Sequence, residues 1–212
     1  MTKTVKSDDY DLRRAIVSKL LAAGIPRSDI RHEITLDTAS SGGRADIVLL
    51  RDGCLTGFEL KSGKDNLDRC KEQKRAYKMA FDRQALLVDE RHIKRDEHDC
   101  IKNSDDLWFD FMIYREGEVY GKSGITPTCV WPNHFHRSHS LSADRMLSLL
   151  WAPEVCGYFN GSTRHKTIEA VAEQYSIKEI RKAVVASLRQ RRLNRWEKAF
   201  WDRFDVVEKV AA

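Results

Sequence analysis

No apolar run in this chain approaches the roughly 20 residues that a membrane-spanning helix requires. Residues 1–6 also lack the apolar core of a secretory leader, so a cytoplasmic protein is expected. Paired cysteines are missing as well. The five present (Cys54, Cys70, Cys100, Cys129 and Cys156) are odd in number, widely scattered and never spaced CxxC. That pattern favours reduced thiols over a disulfide framework or a four-cysteine zinc site. Internal repeats and low-complexity segments are absent. Charge of one sign is scarce too, since a net +5 is only a modest lean toward polyanions. What remains is a well-charged globular composition, 42% hydrophobic and 33% charged. At 212 residues it makes one domain, or one domain with a substantial appendage.

The most informative stretch is Arg44-Ala45-Asp46-Ile47-Val48-Leu49-Leu50, then Arg51-Asp52-Gly53-Cys54, then Leu55-Thr56-Gly57-Phe58-Glu59-Leu60-Lys61. Its pattern is two short strands joined by Asp52-Gly53, a dipeptide that supplies the positive φ angles of a tight hairpin. Side chains alternate across a strand, so Glu59 and Lys61 share one face while Leu60 points into the core. Two carboxylates, Asp46 and Glu59, and one ammonium thus gather at the edge of an apolar hairpin. A hard cation would explain them: Mg²⁺ takes oxygen ligands, usually one or two carboxylates with water and phosphate. Lys61 beside it could hold the attacking water or offset charge on a pentacovalent phosphate. The plain alternative is a salt bridge at a strand edge.

Asp46 followed by Glu59-Leu60-Lys61 resembles the PD-(D/E)xK nuclease signature, with Ala45 where the eponymous proline would stand. Glu33, in Arg31-His32-Glu33-Ile34-Thr35-Leu36, matches an acidic residue often found upstream in that superfamily. Gln73-Lys74-Arg75-Ala76-Tyr77 resembles the QxxxY motif of its RecB-like branch. The wider pattern through Ser62, Asp65, Leu67, Arg69, Phe81 and Asp82, with the later Leu149-Leu150-Trp151-Ala152-Pro153-Glu154, is similar to a largely uncharacterised bacterial and phage family of nuclease-like proteins. The motifs are specific between about 33 and 82. The resemblance implies a restriction-endonuclease-like core and Mg²⁺-dependent hydrolysis of DNA, with Mn²⁺ able to substitute. It implies metal ligation by Asp46, Glu59, Glu33 and the Leu60 carbonyl. Lys61 would position water, while Gln73 and Tyr77 would organise the water and phosphate.

The rest of the chain reads around that centre. A helix capped by Asp8 or Asp9 carries Leu12, Ile16, Leu20 and Leu21 at helical spacing, and Gly24 with Pro26 ends it. Residues 29–37 alternate as a half-buried strand, Ile30, Ile34 and Leu36 on one face and Arg31, Glu33 and Thr35 on the other. Ser40-Ser41-Gly42-Gly43-Arg44 is either a plain loop or a basic approach that contacts phosphate. A helix over 65–82 and a buried strand at Gln84-Ala85-Leu86-Leu87-Val88 complete a strand–helix–strand crossover. Residues 89–105 form a short helix or loop, 107–114 a strand, and Val119-Tyr120 the start of a return strand.

Cys129, His134, His136 and His139 invite a zinc reading, but structural zinc closes two spaced ligand pairs and no partner pair appears. A surface loop or a nucleic-acid rim are the alternatives. Beyond Ser140 the chain is helical, kinked at Trp151-Ala152-Pro153. A capping box at Ser176-Ile177-Lys178-Glu179 opens one of its helices. Its basic stretch, with Trp196, Phe200, Trp201 and Phe204 interleaved, either contacts nucleic acid or packs on the body.

The expected fold class is therefore α/β: a mixed central β-sheet flanked by helices across 1–137, with a helical basic region at 138–212. DNA is the expected partner, contacted by Arg44, Lys64, Arg69, Lys74, Arg189, Arg191 and Arg192. A homodimer is compatible with the sequence. The alternative function is a catalytically silent nucleic-acid- or protein-binding module on the same scaffold, such as a phage or host accessory factor.

Overall fold

Asp8 starts the first helix by pairing with its own first turn. Its carboxylate accepts the Asp11 backbone N–H at 3.1 Å, and Asp11 returns the bond to the Asp8 N–H at 2.8 Å. The helix, α1 (Asp9–Ala22), buries Leu12, Ile16, Val17 and Leu20. It ends at Gly24, whose φ of 79° suits glycine. In the computed structural model the described residues are 7–36, 43–51, 53–98, 100–102, 107–108, 110–121, 135, 137–156 and 163–211.

Six strands follow in sequence and stand side by side in the same order: β1 (Ile30–Leu36), β2 (Gly43–Arg51), β3 (Cys54–Lys61), β4 (Arg83–Asp89), β5 (Phe111–Arg115) and β6 (Glu118–Gly121). The pairings β1–β2, β2–β3 and β5–β6 are antiparallel, while β3–β4 and β4–β5 are parallel. Helix α2 (Cys70–Ala80) provides the crossover that parallel β3 and β4 require. The later helices are α3 (Ala143–Leu147), α4 (Ala152–Cys156), α5 (Arg164–Gln174), α6 (Ile177–Gln190) and α7 (Arg195–Ala211). The sheet is thus mixed and flanked by helices, an α/β architecture. Among the described residues no helix is long and apolar enough to cross a membrane.

Alternation along the strands divides the core into two layers. On β4, Leu86 and Val88 join one cluster with α2, α3, α5 and α6, while Ala85 and Leu87 join the other with α1 and α7. Both clusters mix residues from before and after position 137, so the C-terminal helices complete the cover of the sheet. Phe200, Trp201 and Phe204 lie in the second layer, as a tail packed on the body requires. A buried ion pair fastens α7 to β1: Arg31 Nε and Glu197 Oε1 lie 2.7 Å apart, with side chains 2% and 0% exposed.

Two boundaries and one alternation differ from the sequence pattern for identifiable reasons. Helix α2 begins at Cys70, not 65, because Asp65 accepts the N–H and hydroxyl of Ser62 and closes a turn instead. Strand β5 begins at Phe111. Trp108 is buried before it and donates its indole N–H to the Cys70 carbonyl at 3.1 Å. In β1, Arg31 and His32 are both buried, so the expected in–out alternation fails. Helices cover both faces there, Glu197 reaching Arg31 and Phe200 packing on His32, and beyond them the φ of 57° at Glu33 reverses the faces. Ile30 therefore sits in the α1/α7 layer while Ile34 and Leu36 sit in the other.

Candidate functional site

The β2–β3 ladder stops at the Ile47–Phe58 rung. Beyond it β2 stays paired to β1 through Ala45, Arg44 and Gly43, while β3 stays paired to β4 through Glu59, Leu60 and Lys61. The two central strands therefore part like a fork, with Asp46 on one prong and Glu59 on the other. The hairpin that creates the fork turns at Gly53, whose φ is 80°; Asp52 lies outside the described residues.

Side chains bridge the gap that the backbone opens. Asp46 Oδ2 accepts the Leu60 N–H at 2.7 Å. The Tyr77 hydroxyl accepts the Asp46 N–H at 3.3 Å and donates to Glu59 Oε2 at 2.7 Å, closer than the Phe58 carbonyl at 3.2 Å. Glu59 Oε1 accepts from Gln73 Nε2 at 2.5 Å and from Lys61 Nζ at 2.7 Å. Gln73 and Tyr77 thus hold the Glu59 carboxylate from one face of α2, as their spacing of four predicts. Asp46, Glu59, Leu60, Lys61, Gln73 and Tyr77 are brought together as expected from sequence.

Gly57 allows α2 to come this close. A Cβ there would lie 2.5 Å from Phe81 and 2.8 Å from Tyr77, both fully buried. Gly57→Ala should therefore displace Tyr77 and cost about 1–3 kcal/mol of stability, the usual range for overpacking. Chemical denaturation measures it, and a variant as stable as the parent would contradict this packing.

Glu33 takes a different place from the one its motif position suggests. It stands opposite Asp46 across the β1–β2 pair. Its carboxylate meets Arg13 at 2.8 Å and Arg44 at 3.1 Å. Arg13 is the residue that sequence reasoning missed. Buried on α1, it also donates to the Asp46 carbonyl at 2.5 Å and lies 3.7 Å from Asp46 Oδ1. Glu33 therefore meets Asp46 through Arg13, and the carboxylates that share the fork are Asp46 and Glu59. Its left-handed backbone costs on the order of 1–3 kcal/mol, a feature that clusters at functional sites.

Burial pushes the Asp46 carboxyl well above the usual carboxylate range, and the Glu59 charge across the fork adds to it; Arg13 and the Leu60 N–H oppose them. Burial, then Glu59 and Asp46, likewise push the Tyr77 phenol up, so it keeps the proton it donates. Burial pulls the Lys61 ammonium down, but Glu59 beside it outweighs this and Lys61 stays charged. His32 is held well below its ordinary value by burial, then by Arg13 and Arg31, and is neutral.

Among the described residues no group of three or more His, Cys, Asp or Glu side chains is placed to hold a metal. Mg²⁺ needs only one or two carboxylates. Asp46 Oδ1 makes no hydrogen bond among the described residues, and Glu59 Oε2 accepts one, so each retains free lone pairs. The donor set fits a hard divalent cation.

The basic residues separate into two groups. Arg44 is exposed near the fork, and Lys64 and Arg69 are exposed on the segment joining β3 to α2. Lys74 is half-buried and donates to the Leu107 carbonyl at 3.4 Å. The second group is drawn into the fold. Arg189 pairs with Asp29 at 2.7 Å and reaches the Leu50 carbonyl, at the end of β2 opposite Asp46. Arg191, its side chain 4% exposed, pairs with Glu154 and stacks over Trp151. Only Arg192 of this trio is exposed. Of the histidine cluster, Cys129, His134 and His136 lie outside the described residues, and His139 is exposed.

Residues 2–100 match the family model described as Bacteriophage P4 protein cII. The matched span is just under half of the chain and contains Arg13, Glu33, Asp46, Glu59, Lys61, Gln73 and Tyr77. No curated protein and no solved structure matches the chain.

Proposed function

We propose that this protein is a divalent-metal-dependent nuclease that hydrolyses phosphodiester bonds in DNA, and that the fork between β2 and β3 is its active site. One observation carries the reading: two carboxylates and a charged lysine converge where the ladder opens, and α2 residues fix one of those carboxylates in place. A salt bridge at a strand edge needs neither the opened ladder nor Gln73 and Tyr77.

Mg²⁺ or Mn²⁺ held by Asp46 and Glu59, with the Leu60 carbonyl, would supply Lewis-acid polarisation of the phosphate and a nucleophilic water at neutral pH. The protein's own groups do the rest. Tyr77 and Gln73 leave the Glu59 carboxylate one orientation. Lys61 is a fixed positive charge beside Glu59, placed to hold a water and to offset charge on the phosphate. Arg13 holds Asp46 and Glu33 together from behind, and Arg44 stands at the exposed rim.

A second reading is favoured by a specific observation. The family match is to a phage protein, and the fork carboxylates already have Arg13 and Lys61 as counter-charges. A phage accessory factor that binds nucleic acid or protein without catalysis would retain the same contacts. Labelled single-stranded, duplex and branched DNA, with an RNA control, separates the two. Hydrolysis in Mg²⁺ or Mn²⁺, with binding but no turnover in Ca²⁺, is expected. DNA binding without hydrolysis in any of these metals would establish the second reading.

A further inference from the structure

Arg13 also lines a cleft of about 230 Å³ between α1, β1 and α7, walled by Tyr10, His32, Glu33, Trp196, Phe200 and Arg203. Its volume lies below the roughly 300–1,000 Å³ of clefts that hold drug-sized ligands, which suits one ring system. Three aromatic rings form its sides. Trp196 is 52% exposed, and Phe200 packs its ring 5.7 Å from Tyr10 and 4.5 Å from His32. Two guanidinium groups sit on those rings, Arg203 at 3.5 Å over Tyr10 and Arg195 at 4.6 Å over Trp196. Neither arginine has a carboxylate partner among the described residues. The acidic wall is already neutralised, since Asp9 and Glu33 are both engaged by Arg13 and Glu33 also by Arg44.

His32 adds a ring nitrogen whose hydrogen bond is unfilled among the described residues. Arginine can only donate, so the 3.3 Å contact from Arg13 makes His32 Nδ1 the acceptor and leaves the ring proton on Nε2. That Nε2 is buried without a hydrogen-bond partner among the described residues, on a side chain 1% exposed that lines the cleft. A buried donor left unmatched is unusual enough to require an explanation. An acceptor on a ligand in the cleft supplies one.

We infer that the cleft receives one unpaired nucleobase of the DNA strand that passes the fork. Trp196 stacks on the base, His32 Nε2–H meets an acceptor on its edge, and Arg195 and Arg203 hold the flanking phosphates. A base inside a duplex has both faces stacked and its edge paired, so it cannot enter. The inference rests on the proposed active site for the path of the strand, and it adds the form of DNA preferred: single strands and unpaired ends.

Binding is measured by fluorescence anisotropy in EDTA and in Ca²⁺, where cleavage plays no part. The probes are a short oligothymidylate, an abasic strand of equal length and a duplex. Oligothymidylate should bind roughly 5- to 100-fold tighter than the abasic strand, the contribution of one stacked base. Trp196→Ala should erase most of that ratio, and Trp196→Phe should restore it. Equal binding of the two strands, an unchanged ratio in Trp196→Ala, a preference for duplex, or no binding to oligothymidylate would each overturn it. Hydrolysis in Mg²⁺ without a base preference sinks this inference alone. A Trp196-dependent preference without hydrolysis sinks the nuclease reading alone.

Discussion

Asp46→Asn should reduce DNA hydrolysis by on the order of 10²–10³-fold or more, because it removes a carboxylate that no other group can replace at the fork. The same change should leave the metal-free fold more stable near neutral pH. Burial and the Glu59 charge raise the Asp46 pKa in the folded state above its unfolded value. A group so shifted contributes stability that is complete below the unfolded carboxyl range and is lost as pH rises through the folded value. Above the unfolded carboxyl range the raised pKa of Asp46 is therefore a cost, and the neutral amide removes it. Asparagine keeps an oxygen to accept the Leu60 N–H, and Arg13 keeps Asp9 and Glu33. Melting temperatures measured from pH 4 to pH 8 should show the variant above the parent at pH 7, converging as pH falls. A variant both inactive and less stable, with the parent's pH slope, would mean that Asp46 is structural.

Glu197→Ala should have the largest effect on stability, a loss of about 3–5 kcal/mol. Glu197 accepts two bonds from Arg31, at 2.7 and 2.9 Å, and two more from the backbone N–H groups of His32 and Asn194, at 3.0 and 2.8 Å. Alanine leaves a guanidinium 2% exposed without its counter-charge and two N–H groups without acceptors. The Leu188 and Arg191 carbonyls, which also accept from Arg31, cannot neutralise it. For a domain of this size the loss corresponds to a fall of about 6–20 °C in melting temperature. Glu208→Ala breaks the exposed pair with Arg14 and should change stability little. A Glu197→Ala loss no larger than that control would show that α7 is held by its aromatic residues alone.

What sequence revealed and what it hid divide along range. The Glu59-Leu60-Lys61 geometry depends only on strand alternation, and the Gln73–Tyr77 pairing only on helical period, so both were legible. A cap at Asp8 or Asp9 and the capping box at Ser176 were local and legible too. Arg13 was not, because its partners Glu33 and Asp46 lie 20 and 33 residues away and nothing in α1 distinguishes it from Arg14. The reversal of faces at Glu33 was hidden because glycine, asparagine or aspartate ordinarily marks a left-handed residue, and glutamate does not. The ion pairs of the basic tail were hidden for the same reason as those of Arg13. Arg181, Arg189 and Arg191 find Asp82, Asp29 and Glu154 at separations of 99, 160 and 37 residues, which composition cannot show.

The most direct test is a titration of Mn²⁺ into the metal-free protein, followed by electron paramagnetic resonance, beside the Asp46→Asn and Glu59→Gln variants. Uptake of one or two ions by the parent, absent from both variants, is the predicted result. A parent that takes up no ion, or variants that take up as much as the parent, would contradict a metal site at the fork.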